Sequence, residues 1–169
     1  MKKFLLLFAA LGFFGLAKAQ DGSGFRIGAH GGLPIGNASD VWSFNFGADV
    51  SYLFEVAPRF QAGLTSGYSH YLGKDRQILS TVTVRISDLR LIPIAATGRF
   101  EITPAFFVAG DIGYGIFVGD DEPSRGGGGF YYQPKVGYSA PKFDLYAGYK
   151  AISVDGKVGS VNLGISFKF

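Results

Sequence analysis

The feature that most constrains this chain is a strict alternation of apolar with polar or glycine residues in the stretch VNLGISFKF, at 161–169. Its apolar positions are Val161, Leu163, Ile165, Phe167 and Phe169. A period of two places successive side chains on opposite faces of a β-strand. The stretch therefore predicts a strand with one apolar face, and the kind of protein depends on whether that face meets a core or lipid.

The same period recurs in seven further segments of the chain. They lie at 25–33, 44–54, 60–69, 91–100, 106–116, 130–139 and 143–150. Most of them approach the about nine to eleven residues of a tilted membrane-spanning strand. Bacterial barrels built from a single chain have an even number of strands. The pattern predicts an all-β fold, an eight-stranded antiparallel up-and-down transmembrane β-barrel.

The connections between these segments differ in length and composition. The proline-containing ones at 55–59, 101–104 and 139–142 are short, whereas those at 34–42, 73–88, 119–129 and 152–159 are longer or glycine-rich. Short periplasmic turns opposite long outer loops are typical of transmembrane barrels. The 73–88 segment has an alternation of its own, and we interpret it as a hairpin extension or a loop rather than a ninth spanning strand.

The first 19 residues have the features of a cleaved secretory signal peptide. Two lysines precede an apolar run from Phe4 to Ala17, and a small-x-small cleavage site follows at 17–19. The run is short for a membrane-spanning helix. We predict a signal peptide at 1–19 and one barrel domain at 20–169.

Removal of the signal peptide also removes the excess of positive charge. The leader carries three of the 16 basic residues, so the remaining chain has 13 basic against 13 acidic residues. A basic surface for nucleic acid is therefore not expected. The chain contains no cysteine, which excludes disulfides and thiolate metal sites.

The polar faces of the predicted strands are unusually rich in glycine. Their glycines are Gly28, Gly32, Gly47, Gly63, Gly67, Gly113, Gly115, Gly137, Gly148 and Gly164. Glycine weakens a strand that faces water, whereas the inside of an eight-stranded barrel has little room for side chains. The glycines therefore favour a barrel with its polar face inward and its apolar face toward lipid.

Aromatic residues mark the short-turn ends of the predicted strands, all with the parity of the apolar face. They are Phe25, Phe54, Phe60, Phe100, Phe106, Tyr138, Phe143 and Phe169. Rings of aromatic side chains are typical of the interfaces of a membrane barrel. We predict an aromatic girdle at this end.

On these features the chain resembles the small eight-stranded outer-membrane β-barrels of Gram-negative bacteria, of the OmpA and OmpX type, over residues 24–169. The resemblance implies a porin-like barrel in the cell outer membrane, in contact with outer-membrane lipid. In such proteins the barrel assembly machinery reads a final strand with alternating apolar residues and a terminal Phe. The alternation at 161–169 fits that assembly signal.

The predicted lumen collects charged residues of both signs. They are Arg26, Asp49, Arg99, Asp111, Lys135, Asp144, Lys150 and Lys168. Unpaired charges are costly in a narrow interior, so we expect a lumen polar network that is paired or hydrated. An ion pathway and a polar plug are both compatible with the pattern. The plug is favoured because eight strands enclose about enough space for side chains alone.

Catalytic and metal sites find little support. A hydrolase needs its serine within hydrogen-bond reach of a histidine, yet Ser69 and His70 point to opposite faces of one strand, and His30 has no serine two positions away. We interpret both histidines as structural. The acidic run at 120–122 is a weak candidate for Ca²⁺, and we interpret it as solvated. No cofactor and no metal are expected.

The sequence thus predicts a non-enzymatic outer-membrane barrel with an envelope-structural or surface-interaction role, through extracellular loops and a partner that the residues do not identify. The alternative is a narrow channel for small solutes or hydrophobic molecules. A lipid A-modifying enzyme and a soluble secreted β-protein are less favoured.

Overall fold

The computed structural model describes residues 24–79, 82–119, 127–154 and 156–169. The predicted signal peptide at 1–19 and the acidic run at 120–122 lie outside the described residues. In the described part of the chain, no helix has the length and apolar character that crossing a membrane requires.

Eight strands close into one antiparallel barrel, and two more form a separate hairpin. The strands are β1 (Gly24–Ile35), β2 (Trp42–Ala57), β3 (Phe60–Gly73), β4 (Asp75–Leu79), β5 (Val82–Arg85), β6 (Leu89–Glu101), β7 (Phe106–Phe117), β8 (Gly128–Ser139), β9 (Phe143–Val154) and β10 (Gly156–Lys168). Neighbours in the barrel follow the order β1-β10-β9-β8-β7-β6-β3-β2, so each barrel strand pairs with the barrel strands before and after it along the chain. The predicted eight-stranded up-and-down barrel is confirmed.

The inserted hairpin accounts for the second alternation in the 73–88 segment. Strands β4 and β5 pair only with each other, from Asp75↔Arg85 to Leu79↔Val82. A backbone hydrogen bond from Ile86 N to Lys74 O joins the two sides of their base, and one from Lys74 N to Val41 O links the base to the segment just before β2. In its described residues the segment is therefore a hairpin extension and not a ninth barrel strand.

The two ends of the barrel differ in their connections. Short turns at 58–59, 102–105 and 140–142 occupy one end, which we call the short-turn end. The opposite, long-loop end carries a 3₁₀ helix at Gly36–Asp40, the β4–β5 hairpin, the end of β7 and the start of β8. The predicted loop at 152–159 is wrong in extent, because β9 and β10 pair as far as Val154↔Gly156.

The apolar faces of the barrel strands point outward. On β10, Leu163 is 69% exposed, whereas the neighbouring Asn162 is fully buried. The same contrast separates Leu64 from Thr65 on β3 and Ile112 from Asp111 on β7. The polar side chains therefore pack in the lumen, where the candidate site lies.

Candidate functional site

All eight barrel strands contribute side chains to the lumen, which is filled in three layers. The apolar layer consists of Leu91, Ala95, Tyr131 and Ile152, the central layer of His30, Asp49, Ser69, Tyr146 and Lys150, and the ionic layer of Arg26, Arg99, Asp144 and Lys168. The order runs from the long-loop end to the short-turn end, and each layer closes the lumen by different chemistry.

The apolar layer lies toward the long-loop end of the lumen, on β6, β8 and β9. Leu91, Tyr131 and Ile152 are each 1% exposed, and Phe117 and Val158 pack against them. The Tyr131 hydroxyl donates to Gln133 Oε1 at 2.6 Å, which satisfies the one polar atom of that side chain. A layer of this kind offers water almost no hydrogen-bond partners.

Amide and hydroxyl groups of β2, β3 and β10 form a hydrogen-bonded cluster of their own in the lumen. Asn45 Nδ2 donates to Asn162 Oδ1 at 2.7 Å, and Asn162 Nδ2 donates to Ser160 Oγ at 2.9 Å. Ser160 Oγ also lies 3.1 Å from the Tyr71 hydroxyl. Asn45, Asn162 and Ser160 are fully buried. Their mutual hydrogen bonds replace bonds to water, and Asn45 Oδ1 alone in this cluster is without a partner.

The central layer places a serine, a histidine and an aspartate in contact. His30 Nδ1 lies 2.7 Å from Asp49 Oδ2, and His30 Nε2 lies 3.1 Å from Ser69 Oγ. Lys150 Nζ lies 2.9 Å from His30 Nε2 and donates to Ser69 Oγ at 2.8 Å. Tyr146 donates its hydroxyl to the same Asp49 oxygen, Oδ2, at 3.0 Å.

Glycine allows His30 to reach across a strand to Ser69. The register is His30↔Gly47 between β1 and β2, and Gly47↔Ser69 between β2 and β3. A Cβ on Gly47 would lie 2.7 Å from His30 Cε1, so only glycine leaves room for the ring. Sequence reasoning missed this contact because it sought a serine on the histidine's own strand. The inward-facing Gly47 was the available signal.

The contacts of Ser69, His30 and Asp49 resemble those of a hydrolase triad, but two features oppose catalysis. Ser69 is fully buried, so a substrate has no approach to it. Lys150 also points an ammonium at His30 Nε2, the atom that would accept the serine proton in a general-base step. The arrangement therefore serves packing in this conformation.

The other histidine, His70, lies on the outer face of the barrel. Its Nδ1 lies 3.0 Å from the Tyr68 hydroxyl, and its Nε2 lies 2.9 Å from Asp88 Oδ2. Its ring stacks on Phe46, with 5.3 Å between the ring centroids. Both histidines thus have polar partners, and Ser69 and His70 point to opposite faces as expected.

The ionic layer gathers three cations around one carboxylate. Asp144 accepts from Arg99 Nη1 at 2.6 Å and lies 2.9 Å from Lys168 Nζ and 3.5 Å from Arg26 Nε. The Arg99 guanidinium also stacks on Phe107, 3.7 Å from the ring centroid. This layer closes the short-turn end with paired charge.

A polar cavity of about 50 Å³ separates the ionic layer from the central layer. Its charged walls are Arg26, Arg99, Lys135, Asp49 and Asp144. Lys135 already pairs with Asp111 at 2.6 Å, outside the cavity wall. The cavity is large enough for water or a small ion.

The structure places the predicted site residues as follows. Inside the barrel lie Arg26, Asp49, Arg99, Asp111, Lys135, Asp144, Lys150 and Lys168. Outside, at the short-turn end, lie Phe54, Phe60, Phe100, Phe106, Tyr138 and Phe169, together with the half-buried Phe25 and Phe143. Among the described residues, no group of three or more His, Cys, Asp or Glu side chains is arranged to hold a metal ion.

The apolar layer is the part of the lumen that sequence reasoning missed. Its members Leu91 and Ala95 lie on the inward face of β6, and the outward face of the same stretch carries Ile92, Ile94 and Ala96. Both faces of that stretch are apolar, so its alternation is weak. The weak alternation was itself the signal of an apolar lumen layer.

No protein-family model and no curated protein match this chain. Among solved structures, the outer membrane protein Ail of Yersinia pestis in nanodiscs is similar, with 17% identity and a TM-score of 0.57 over 88% of this chain and 100% of Ail. The fold is that of the small outer-membrane β-barrels. OprG of Pseudomonas aeruginosa is similar at 12% identity and a TM-score of 0.55, over 87% of this chain and 96% of OprG. The N-terminal barrel domain of Pseudomonas aeruginosa OprF gives 15% and 0.51, over 88% of this chain and the whole domain.

Proposed function

We propose that this protein resides in the outer membrane as a closed, non-conducting barrel, and that it acts without catalysis, as an envelope component or through its surface loops. The observation that carries the proposal is the filled lumen, with an apolar layer at one end and an ionic layer at the other. A scaffold closed in this way leaves its outer surface and loops as the parts that meet other molecules.

The outer surface supports residence in a membrane. The outward side chains of the barrel strands are largely apolar, and Leu33, Leu64, Ile112 and Leu163 each expose at least 60% of their surface. The closed strand order leaves no unpaired edge. A membrane tolerates β-structure only when the backbone is satisfied in this way, so lipid is the proposed partner of the outer face.

The lumen supports a plug rather than a channel. A permeating ion would have to displace the apolar layer at Leu91, Tyr131 and Ile152. That layer offers an ion few polar groups to replace its water. It would then have to separate Arg99 from Asp144, which are each about 3% exposed as side chains. The narrow-channel alternative requires both changes at once.

The long-loop end is the proposed site of surface contacts. It carries the 3₁₀ helix at 36–40 and the β4–β5 hairpin, both held by hydrogen bonds to neighbouring segments, such as that from Lys74 Nζ to Ser39 O at 2.6 Å. Rigid barrels commonly display variable chemistry on such loops. Ail is named as an attachment invasion locus protein, and a surface role for this chain is proposed on fold-level analogy.

The last strand is the proposed contact with the barrel assembly machinery. Val161, Leu163, Ile165, Phe167 and Phe169 all have outward parity on or just after β10. That face is open to a partner before the barrel closes on β1.

Planar-bilayer recording of the mature protein, purified from outer membranes, tests the proposal. We expect migration on gels to change on boiling, as it does for a compact barrel, and no steady openings, because both ends of the lumen are blocked. Recordings from a porin in the same chamber provide the positive control.

Steady openings would contradict the plug. Openings that vanish in Arg99→Ala and persist in Lys74→Ala, a variant at the exposed loop end, would replace the proposal with a channel. Recovery of the protein in the soluble periplasmic fraction would overturn the membrane assignment itself.

A further inference from the structure

Two arginines, two aspartates and one lysine that is paired with Asp111 supply the charged groups around the polar cavity between the central and ionic layers. Arg26, Arg99 and Lys135 face it, against Asp49 and Asp144. Each carboxylate is already engaged. Asp49 contacts His30 and Tyr146, while Asp144 is shared by three cations.

The unpartnered polar atoms of the two arginines are all donors. Arg26 Nε, Arg26 Nη1 and Arg99 Nε are buried and have no hydrogen-bond acceptor. Arg26 donates once, from Nη2 to Gln61 Oε1 at 3.0 Å, and its Nε reaches Asp144 only at 3.5 Å. Arg26 is 8% exposed and Arg99 3%, so bulk water satisfies neither of them.

Buried guanidinium groups of this kind need an acceptor that carries negative charge. Leaving a buried cation without its counter-charge is strongly unfavourable, and hydrogen bonds between charged partners are the stronger ones. Glu101 lies 3.7 Å from Arg99 Nη2, but it is at the rim and its side chain is 32% exposed. It does not reach the unpartnered nitrogens.

We propose that the cavity binds a small monovalent inorganic anion, chloride under physiological conditions, between the guanidinium groups of Arg26 and Arg99. A volume of about 50 Å³ accommodates one halide ion with a water molecule. Gluconate is too large for this volume. The anion is a structural ligand of the closed lumen, and its presence does not depend on any partner at the loops.

The test compares thermal stability in sodium chloride with that in sodium gluconate at equal ionic strength, read as the temperature at which half of the protein loses its compact gel mobility. A ligand that binds only the folded state raises this temperature. We expect the wild type to be higher in chloride by roughly 3–5 °C. The difference is lost in Arg26→Gln and kept in Lys74→Gln, which removes one positive charge at the exposed loop end.

Equal differences in all three proteins would indicate a general salt effect and overturn the proposal, as would no difference in the wild type. Arg26 is buried, and its substitution carries a risk of misfolding. A second measurement therefore uses the wild type alone. Crystals grown in bromide are expected to give an anomalous peak between Arg26 and Arg99. Electron density in the cavity without an anomalous signal would show that water occupies it, and would overturn the proposal.

Discussion

The two ends of the lumen are filled in different ways. At the long-loop end, Leu91, Tyr131 and Ile152 pack together with almost no polar groups. At the short-turn end, Arg99 and Asp144 close the lumen through charge, with 2.6 Å between Nη1 and Oδ2. A narrow barrel can thus be filled in two ways. Apolar packing requires only side chains of complementary shape, whereas ion pairs require that every charged partner be present.

The two ends also differ in which buried polar atoms lack a hydrogen-bond partner. At the long-loop end Ser160 and Asn162 are hydrogen-bonded, and the atoms without a partner include the uncharged amide atoms Asn45 Oδ1 and Gln133 Nε2. The ionic layer borders the polar cavity and contains unpartnered nitrogens on Arg26 and Arg99. Removal of a group should therefore cost more in the ionic layer than in the apolar layer.

The largest effect is expected for Asp144→Ala. The substitution leaves Arg26, Arg99 and Lys168 close together without their shared carboxylate, and breaking a buried ion pair from one side costs about 3–5 kcal/mol. Urea unfolding in phospholipid vesicles, followed by the fluorescence of the single tryptophan Trp42, measures the free energy of unfolding.

The matched control is Asp40→Ala, at an exposed position of the 3₁₀ helix. We expect it to change the free energy of unfolding by less than about 0.5 kcal/mol. Similar values for the two aspartate variants would mean that the ionic layer does not hold the short-turn end together.

A smaller loss is expected for Ile152→Ala in the apolar layer. Ile152 is 1% exposed and packs with Leu91 and Tyr131, and truncation of such a side chain costs roughly 2–4 kcal/mol. The same unfolding assay applies. Ile112→Ala, at an outward position that is 61% exposed, is the control, and we expect less than half the loss because lipid fills the space. A larger loss for Ile152→Ala than for Asp144→Ala would reverse the ranking of the two ends.

The smallest of the three effects is expected for Asn162→Ala, in the hydrogen-bonded cluster of β2, β3 and β10. It removes the acceptor of Asn45 Nδ2 and the donor to Ser160, and an unsatisfied buried amide costs roughly 1–2 kcal/mol. The exposed Asn37→Ala serves as the control in the same assay, with almost no expected change. A value for Asn162→Ala as large as that for Asp144→Ala would show that charge has no special weight in this lumen.

The alternation of residues was enough to predict the barrel, because each barrel strand keeps one apolar, outward face over its length. Outward Leu163 and inward Asn162 follow directly from that parity. Inward charges such as Asp144 were predicted for the same reason. Parity assigns a residue to a face of its own strand, and that is the limit of what it specifies.

Contacts between strands depend on register, which the alternation does not fix. The approach of His30 to Ser69 requires two registers and the empty position at Gly47. The sharing of Asp144 by Arg26 and Lys168 requires β1, β9 and β10 to be aligned. The apolar layer was missed because Leu91 and Ile92 are both apolar, so the pattern there carries no contrast between the faces.

The pairing of β1 with β10 has a consequence for the order of folding. Arg26 faces Lys168 across this seam, so the contact that closes the barrel joins residues from nearly opposite ends of the described chain. Contacts of high sequence separation are slow to form, because the chain entropy is lost before the contact repays it. Until that step, β1 and β10 both present unpaired edges, which are sites for aggregation. The chain therefore has a period of vulnerability that lasts until its final strand is in place, and any factor that holds β10 beside β1 shortens it.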